Sequence, residues 1–387
     1  MKVQEYLRKH GLNGLEKLQE EFSIIVGDYP DRISLNYNQI DSPRFHPICD
    51  ECRGLILRKD TWKVIARSFD RFYNIGESIN DKDFPIAKAY FLEKLDGSLL
   101  NCSHDDKEWC LSTRKMAYAE GMLPIGITFR QLFDDAVKNT NLWEWLESTP
   151  VKNISFIFEL TSPENRIVTP YTKREVTLIG ARNNDTENEL KTEELDSIAK
   201  EMGIKRPKLF KFSSIEETVK AAEKLNIMDE GFVLLVENKE GSHRRLKCKN
   251  SKYVAIAHMR SNGQISPKRI MTLLITNEHI EYLNYFPEDK HYFDFAENIY
   301  KESLSRINYI VHKYMFIKEQ KEFALTIMPF TEYAYEKGII FNARKGVPVE
   351  ESIIKMGGKK ISEALGLRNK FAKEFGVIEE GEENEES

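Results

Sequence analysis

Apolar positions along the chain change period several times, and the changes outline its organisation. Residues 2–22 carry Val3, Tyr6, Leu7, Leu15, Leu18 and Phe22 at near-helical spacing, which predicts one or two amphipathic helices split near Gly11 to Gly14. Short β-type runs follow at Ile33 to Tyr37, Gly54 to Leu57 and Lys63 to Ala66, the last two joined by the polar Lys59-Asp60-Thr61. Tyr90 to Leu100 reads as an apolar run ending in Lys94, an Asp96-Gly97 turn and a second apolar run, hence strand, tight turn, strand. Further strands are expected at Trp109 to Thr113, Ser155 to Leu160, Glu175 to Gly180, Gly231 to Val236 and Arg245 to Cys248, with helical periods over 126–147, 192–203 and 214–226. Many short strands with a few interposed helices predict an α+β domain built on antiparallel sheets, over 1–255.

Past about residue 255 the pattern becomes helical throughout. Ser266-Pro267 reads as a helix start, Ser as cap and Pro at the first helical position. Residues 293–317 and 361–375 repeat apolar positions at helical spacing. A second, all-helical domain is expected over 256–378, followed by a glutamate-rich disordered tail over 379–387. Its Arg344, Lys345, Lys355, Lys359, Lys360, Arg368, Lys370 and Lys373 form a basic set suited to RNA phosphates or to a solvated helix face.

Composition narrows the class. The 387 residues are 41% hydrophobic and 31% charged, the range of a soluble globular protein. No apolar run is long enough to span a bilayer, and Met1 to His10 lack a signal core, so a cytoplasmic protein is expected. The formal charge of −5 does not announce a nucleic-acid binder, so local patches must carry that reading. Five cysteines, an odd number, suggest free thiols. His46, Cys49 and Cys52 have the spacing of part of a metal site, but no second cysteine pair follows, so a structural role is expected ahead of zinc.

The chemistry collects where charged residues interrupt apolar strands. Glu159 follows Phe156-Ile157-Phe158, Glu230 precedes a strand, and Lys247 and Lys249 alternate so that both amines share a face. Charges are seldom buried unpaired, so one pocket holding Lys94, Lys247, Lys249, Glu159 and Glu230 accounts for all five. The competing account is a set of solvated edge-strand charges.

Lys94-Leu95-Asp96-Gly97-Ser98 resembles the KxDG motif of covalent nucleotidyltransferases, the superfamily of ATP-dependent ligases and mRNA capping enzymes. Phe158-Glu159, Glu230-Gly231-Phe232-Val233 and Leu246-Lys247-Cys248-Lys249 resemble its later motifs, in the same order. Glu51-Cys52-Arg53-Gly54, Arg71-Phe72-Tyr73-Asn74, Ser162 to Val168 and Gly241-Ser242-His243 are similar to the bacteriophage RNA ligase 1 family in particular, so that the likeness runs from about residue 30 to about 260.

That resemblance implies an ATP-dependent RNA ligase in which Lys94 attacks the α-phosphate of ATP and becomes AMP-lysine. It implies that Tyr37, Arg53 and Arg71 bind ATP, Glu159 meets the ribose, Glu230 lies near the metal, and Lys247 and Lys249 contact phosphates. Tyr253 matches a position needed for ligation. Arg71 and Arg114 stand where lysines are usual in the family, with Lys115 as an alternative match for the second. The cofactor implied is magnesium, with manganese as its substitute; the metal ligands are not assigned. The partners implied are single-stranded RNA ends, such as a cleaved tRNA anticodon loop, in a phage-infected cell. The helical second domain would supply RNA specificity.

Beside the resemblance stands a physical expectation. A free lysine, with a pKa of about 10.4, is mostly an ammonium at neutral pH and cannot attack phosphorus. Lys247, Lys249 and a bound cation are expected to lower the pKa of Lys94, and Gly97 to leave room for the nucleotide. The rival readings are a DNA ligase or capping-type enzyme, disfavoured by the lack of a C-terminal β-barrel pattern, and an inactive RNA-binding protein on a ligase fold.

Overall fold

The computed structural model describes residues 1–387 apart from 79–80, 82, 124, 259, 261–263 and 377–387; the tail expected over 379–387 lies outside the described residues. The chain forms two compact units, Met1–Ala257 and one that begins at His258.

The first unit opens with α1 (Lys2–His10) and α2 (Gly14–Phe22), separated by one turn of 3₁₀ helix at the glycines, as their spacing predicts. Then come β1 (Ile24–Asp28), β2 (Arg32–Tyr37), α3 (Pro47–Glu51), β3 (Arg53–Arg58), β4 (Val64–Ala66), β5 (Tyr73–Asn74), β6 (Ala89–Lys94), β7 (Ser98–His104) and β8 (Trp109–Thr113). The middle holds α4 (Phe129–Val137), α5 (Leu142–Ser148), β9 (Ile154–Thr161), β10 (Glu175–Asn183), α6 (Thr192–Met202) and β11 (Leu209–Phe210). It closes with α7 (Ile215–Glu223), β12 (Gly231–Val236), β13 (Arg244–Lys249) and α8 (Ser251–Ala257).

Among the described residues these strands make three sheets, in the orders β1-β2-β3-β4, β10-β9-β7-β8 and β11-β6-β12-β13-β5. All pairings are antiparallel except β5 with β13. Val3, Leu7 and Leu18 of the first two helices cover one face of the first sheet, with Cys49 and Cys52 fully buried among them. Those cysteines, with the His46 ring 4.7 Å from that of Phe22, are core rather than a metal site. Among the described residues no group of three His, Cys, Asp or Glu side chains is placed to hold a metal ion.

The α+β class and most strand positions match expectation; four features differ. The Asp96-Gly97 turn joins no hairpin: β6 lies in the five-stranded sheet beside β11 and β12, whereas β7 lies in another sheet between β8 and β9. Gly97 is needed because a Cβ there would stand 2.4 Å from the carbonyl oxygen of Leu160, so its missing side chain admits the close approach of β9. The helical period over 126–147 divides into α4 and α5, because Thr140 and Asn141 turn the chain. The short elements β1, α3, β5 and β11 carry too few residues to show a period.

The second unit is helical: α9 (Pro267–Thr276), α10 (His279–Tyr285), α11 (Lys290–Tyr314), α12 (Gln320–Ile327), α13 (Ala334–Arg344), α14 (Val349–Met356), α15 (Gly358–Ala364) and α16 (Leu367–Phe375). Ser266 caps α9 by accepting from the Arg269 N–H. The period over 361–375 splits at Gly366, which takes the left-handed conformation. Fully buried Glu336 ties α13 to α11 by accepting from Ser303 and Arg306. In the expected basic set, Arg344 donates to the Lys318 carbonyl and Lys370 to the Tyr333 hydroxyl, so those two serve packing. No described helix is long and apolar enough to cross a membrane.

Gly231 tests how tightly the strands are fitted. Its φ is +134°, and a Cβ would lie 2.1 Å from the Cys248 carbonyl oxygen, a backbone atom that cannot swing aside. Gly231→Ala is expected to cost about 3 kcal/mol in a urea titration; a loss below about 1 kcal/mol would contradict this packing.

Candidate active site

Antiparallel register brings three strand positions abreast. Gly231 of β12 faces Lys94 of β6 on one side and Lys249 of β13 on the other. Having no side chain, Gly231 lets β13 close on β12 at the Cys248 carbonyl. Along β13 the alternation buries Leu246 and Cys248 in the core beneath the sheet, so Arg245, Lys247 and Lys249 share the opposite face. Glu230 is carried just before β12, and Glu159 comes from β9 of the neighbouring sheet.

The Lys94 ammonium, about one-fifth exposed, sits 2.6 Å from a carboxylate oxygen of Glu230. Burial alone would lower the lysine pKa, but Glu230, Glu159 and Asp96 together outweigh it, and the net direction is upward. This reverses the expectation from sequence: the nearest charges to the amine are acids. The depressed amine is Lys247, brought down to about 7 by burial and then by repulsion from Arg53, Lys94, Lys249 and Arg114. Glu159 is raised to about 7, mainly by burial, with Glu230 and Asp96 adding to it against the pull of Lys94.

The cations line up around two aromatic rings. Arg71 lies 4.2 Å and Arg114 4.8 Å from the Tyr37 ring centre, while Arg53 and Lys247 approach the Phe72 ring at 5.5 and 5.0 Å. Burial and Arg114 bring the Arg53 guanidinium down to about 10. Among the described residues none of Arg53, Arg71, Arg114, Lys247 and Lys249 has a carboxylate within ion-pair distance. Between the two family matches at 114 and 115, Arg114 is the one at the site; Lys115 is exposed. Mutually repelling cations held together without counter-ions form a ready cradle for a polyanion.

Asp96 holds the crossover in place. Its buried carboxylate accepts from the Val168 N–H at 2.8 Å, the Thr169 N–H at 2.7 Å and the Tyr253 hydroxyl at 2.7 Å, while its own N–H donates to the Tyr171 hydroxyl. Tyr253 is therefore buried behind the Asp96-Gly97 turn, where burial and the neighbouring acids push its phenol far up. The next amide, Gly97 N–H, donates to Glu159 at 3.1 Å.

An ion ladder, buried except at the half-exposed Asp70 and not visible in the sequence, fixes β13 from the other end. Arg67 pairs with Asp70 at 3.0 Å, Asp70 with Arg182 at 2.8 Å, Arg182 with Glu189 at 3.0 Å, and Glu189 takes both arms of Arg245. Burial raises both acids, but the arginines outweigh it and hold Asp70 and Glu189 below the usual carboxylate range. Arg245 shares its strand face with Lys247, so the ladder sets where Lys247 and Lys249 stand.

A family model described as RNA ligase, of the phage RNA ligase 1 type, matches residues 51–253. The chain belongs to this family. Its relatives include a protein of Autographa californica nuclear polyhedrosis virus named "Putative bifunctional polynucleotide kinase/RNA ligase", 32% identical over 72% of this chain and 41% of the relative. The RNA ligase of Rhodothermus phage RM378 is 26% identical over 59% of this chain and 64% of its own. The chain thus spans about half the length of the curated relatives it matches. Among solved structures, an archaeal ATP-dependent RNA ligase aligns over 94% of this chain and 81% of its own at 14% identity and a TM-score of 0.43, a loose likeness only.

The raised carboxyl of Glu159 has a measurable sign. Its folded pKa of about 7 exceeds the ordinary 4.5, so its contribution to stability is intact below pH 4.5 and is lost as pH rises through 7. Glu159→Gln keeps the acceptor for Gly97 and removes the buried charge. Urea titration is expected to find the variant about 2 kcal/mol more stable than the parent at pH 8 and equal to it at pH 4.5. Equal effects at both pH values would contradict the assignment.

Proposed function

We propose that this chain is an ATP-dependent RNA ligase that joins 5′-phosphate and 3′-hydroxyl ends through AMP-lysine and adenylylated RNA. The observation that carries the reading is the Lys94–Glu230 pair standing beside a cation cradle that has no counter-ion. An ATP triphosphate supplies the missing anion: Arg53, Arg71, Arg114, Lys247 and Lys249 receive its phosphates, and Tyr37 packs beneath the arginines.

Divalent metal fits this donor set. Magnesium is usually held by one or two carboxylates together with substrate phosphates and water, and Glu159 and Glu230 are two carboxylates close to Lys94. When bound there, the cation supplies positive charge that offsets the carboxylates around the ammonium.

The chain's own residues then act in order. In the resting site Glu230 holds Lys94 protonated and oriented. Once Glu230 is engaged elsewhere, the proton passes to solvent water and the free amine directs its lone pair at the α-phosphorus. A nitrogen–phosphorus bond forms, the bond to the bridging oxygen breaks, and pyrophosphate departs with that electron pair into the lysine and arginine cradle. Lys247, near its midpoint at neutral pH, gains a proton as negative charge collects beside it. In the second step an RNA 5′-phosphate oxygen takes AMP from Lys94; in the third an RNA 3′-hydroxyl displaces AMP and seals the strand. Asp96, locked by Tyr253, Val168 and Thr169, keeps the Lys94 turn still throughout, which makes Tyr253 a positioning residue. By family resemblance the natural ends are those of a cleaved tRNA anticodon loop, with the helical unit favouring that substrate.

Incubation with ATP and magnesium is expected to add one AMP, mapping to the peptide that holds Lys94. Lys94→Ala should lose the adduct and more than about 10³-fold of ligation. Ligation by Lys94→Ala at the parent rate would overturn the reading, and adduct formation without sealing of any RNA end would point to another transferase on this core.

Proton uptake provides a second check. Because Lys247 is depressed to about 7, binding of inorganic pyrophosphate at pH 8 should draw a fraction of a proton from buffer. Calorimetry in buffers of different ionisation enthalpy reads that uptake, and Lys247→Met should abolish it; uptake unchanged in the variant would contradict the role given to Lys247.

A further inference from the structure

Beyond the start of β13, at the edge of the five-stranded sheet, lies a cavity of about 210 Å³ bordered by Arg71, Tyr73, Phe84, Ser242, His243 and Arg244. The carboxylates at its wall, Asp70 and Glu189, are both engaged in the ion ladder with Arg182 and Arg245. Arg71 and Arg244, in contrast, have no carboxylate within ion-pair distance among the described residues. The Arg244 guanidinium lies 5.4 Å from the Phe84 ring centre.

Next to this cavity stands an aromatic ring that the fold pays to display. Phe45 has φ +58° and remains 47% exposed, a costly backbone state for a bulky residue. It is pinned there from two sides: its N–H donates to the Tyr73 hydroxyl at 2.7 Å, and its ring stacks on that of Tyr73 with centres 4.1 Å apart at 30°. Arg44 lies over both rings, at 5.9 and 5.5 Å. Tyr73 pairs with Leu246, the residue beside Lys247, so this surface continues the strand that bears the phosphate-facing lysines. At about 3.3 Å per residue, Arg244 to Leu246 lie roughly 10–17 Å from Lys249.

We propose that the Phe45 ring and the adjoining cavity form a subsite for single-stranded RNA, holding the nucleotides next to the end being joined. An unstacked base lies on the free face of Phe45, and a backbone phosphate sits against Arg244. Exposed rings interleaved with arginines suit single strands, because every base offers a stacking face whatever its sequence. The inference rests on the ligase reading and deepens it by naming where the RNA strand runs.

Phosphate at this cavity has two sources, the triphosphate of ATP and the RNA backbone, and the experiment separates them. Phe45→Ala and Arg244→Ala alter exposed side chains and are made in the full chain, with thermal midpoints checked against the parent. Three readouts are taken: AMP-lysine formation from ATP, the KM and kcat for joining 5′-phosphorylated single-stranded RNA, and anisotropy of a fluorescent RNA decamer. Each variant is expected to leave AMP-lysine formation unchanged, to raise the RNA KM about 10-fold and to weaken decamer binding to match, the size of one lost base stack or phosphate contact. Phe45→Trp, with a larger ring, should restore binding; Arg244→Ala should also flatten its salt dependence. Unchanged RNA KM in both alanine variants overturns the proposal. So does a parallel fall in AMP-lysine formation, which would give the cavity to ATP. If the parent itself forms no adduct, the ligase reading fails, while anisotropy still decides the subsite.

Discussion

Everything at the site hangs on one buried carboxylate. Asp96 sits where the chain leaves one sheet for another, and a crossover of that kind has no ladder of its own to hold it. Three donors converge on its oxygens, and a fourth bond anchors its amide. A buried carboxylate satisfied in this way is rigid, because each lost donor would leave charge uncompensated. Lys94, two residues earlier, inherits that rigidity. So does Glu159, which takes its hydrogen bond from the very next amide. The position of Lys94 is thus decided by a residue whose own bonds all go to the scaffold.

The electrostatics divide the site in two. Around Lys94 the charges are mainly acidic; a short way along β13 they are basic and unmatched. Neither half is stable by itself in the sense of charge balance, and each is held by scaffolding placed behind it. The acids are fixed by strand register and the Asp96 turn. The cations are fixed by aromatic rings below and by the Arg67–Asp70–Arg182–Glu189–Arg245 ladder at the side. Breaking a buried ladder of this kind commonly costs several kcal/mol, since one partner's loss strands the other. Such a ladder is therefore a strict positioning device, spanning residues that the chain separates by more than a hundred positions.

Much of this could be read in advance, for physical reasons. Lys94, Glu159, Glu230, Lys247 and Lys249 stand out because each breaks an apolar run, and period two alone puts the last two on one face. Arg182, Glu189 and Arg245 do not stand out: each looks like an ordinary strand or loop charge until the sheets are brought together. The Asp96-Gly97 pair misleads because a hairpin and a crossover use the same turn residues, and only the partner strands distinguish them. The direction of the Lys94 shift was equally hidden. Sequence shows which charges are present, whereas the sign depends on whether the nearest lies at 2.6 Å or two residues along a strand. The backbone of Phe45 gives no sequence signal at all, since a positive φ is a rare state for phenylalanine.

The pairing of Lys94 with Glu230 also bears on unwanted chemistry. A protonated amine has no lone pair to offer, so cyanate, aldehydes and reactive thioesters find little to modify there while Glu230 holds the ammonium. Lys247, half deprotonated at neutral pH, is the more vulnerable of the two. Accidental acylation would strike the cradle and spare Lys94, and a filled cradle would shield even that.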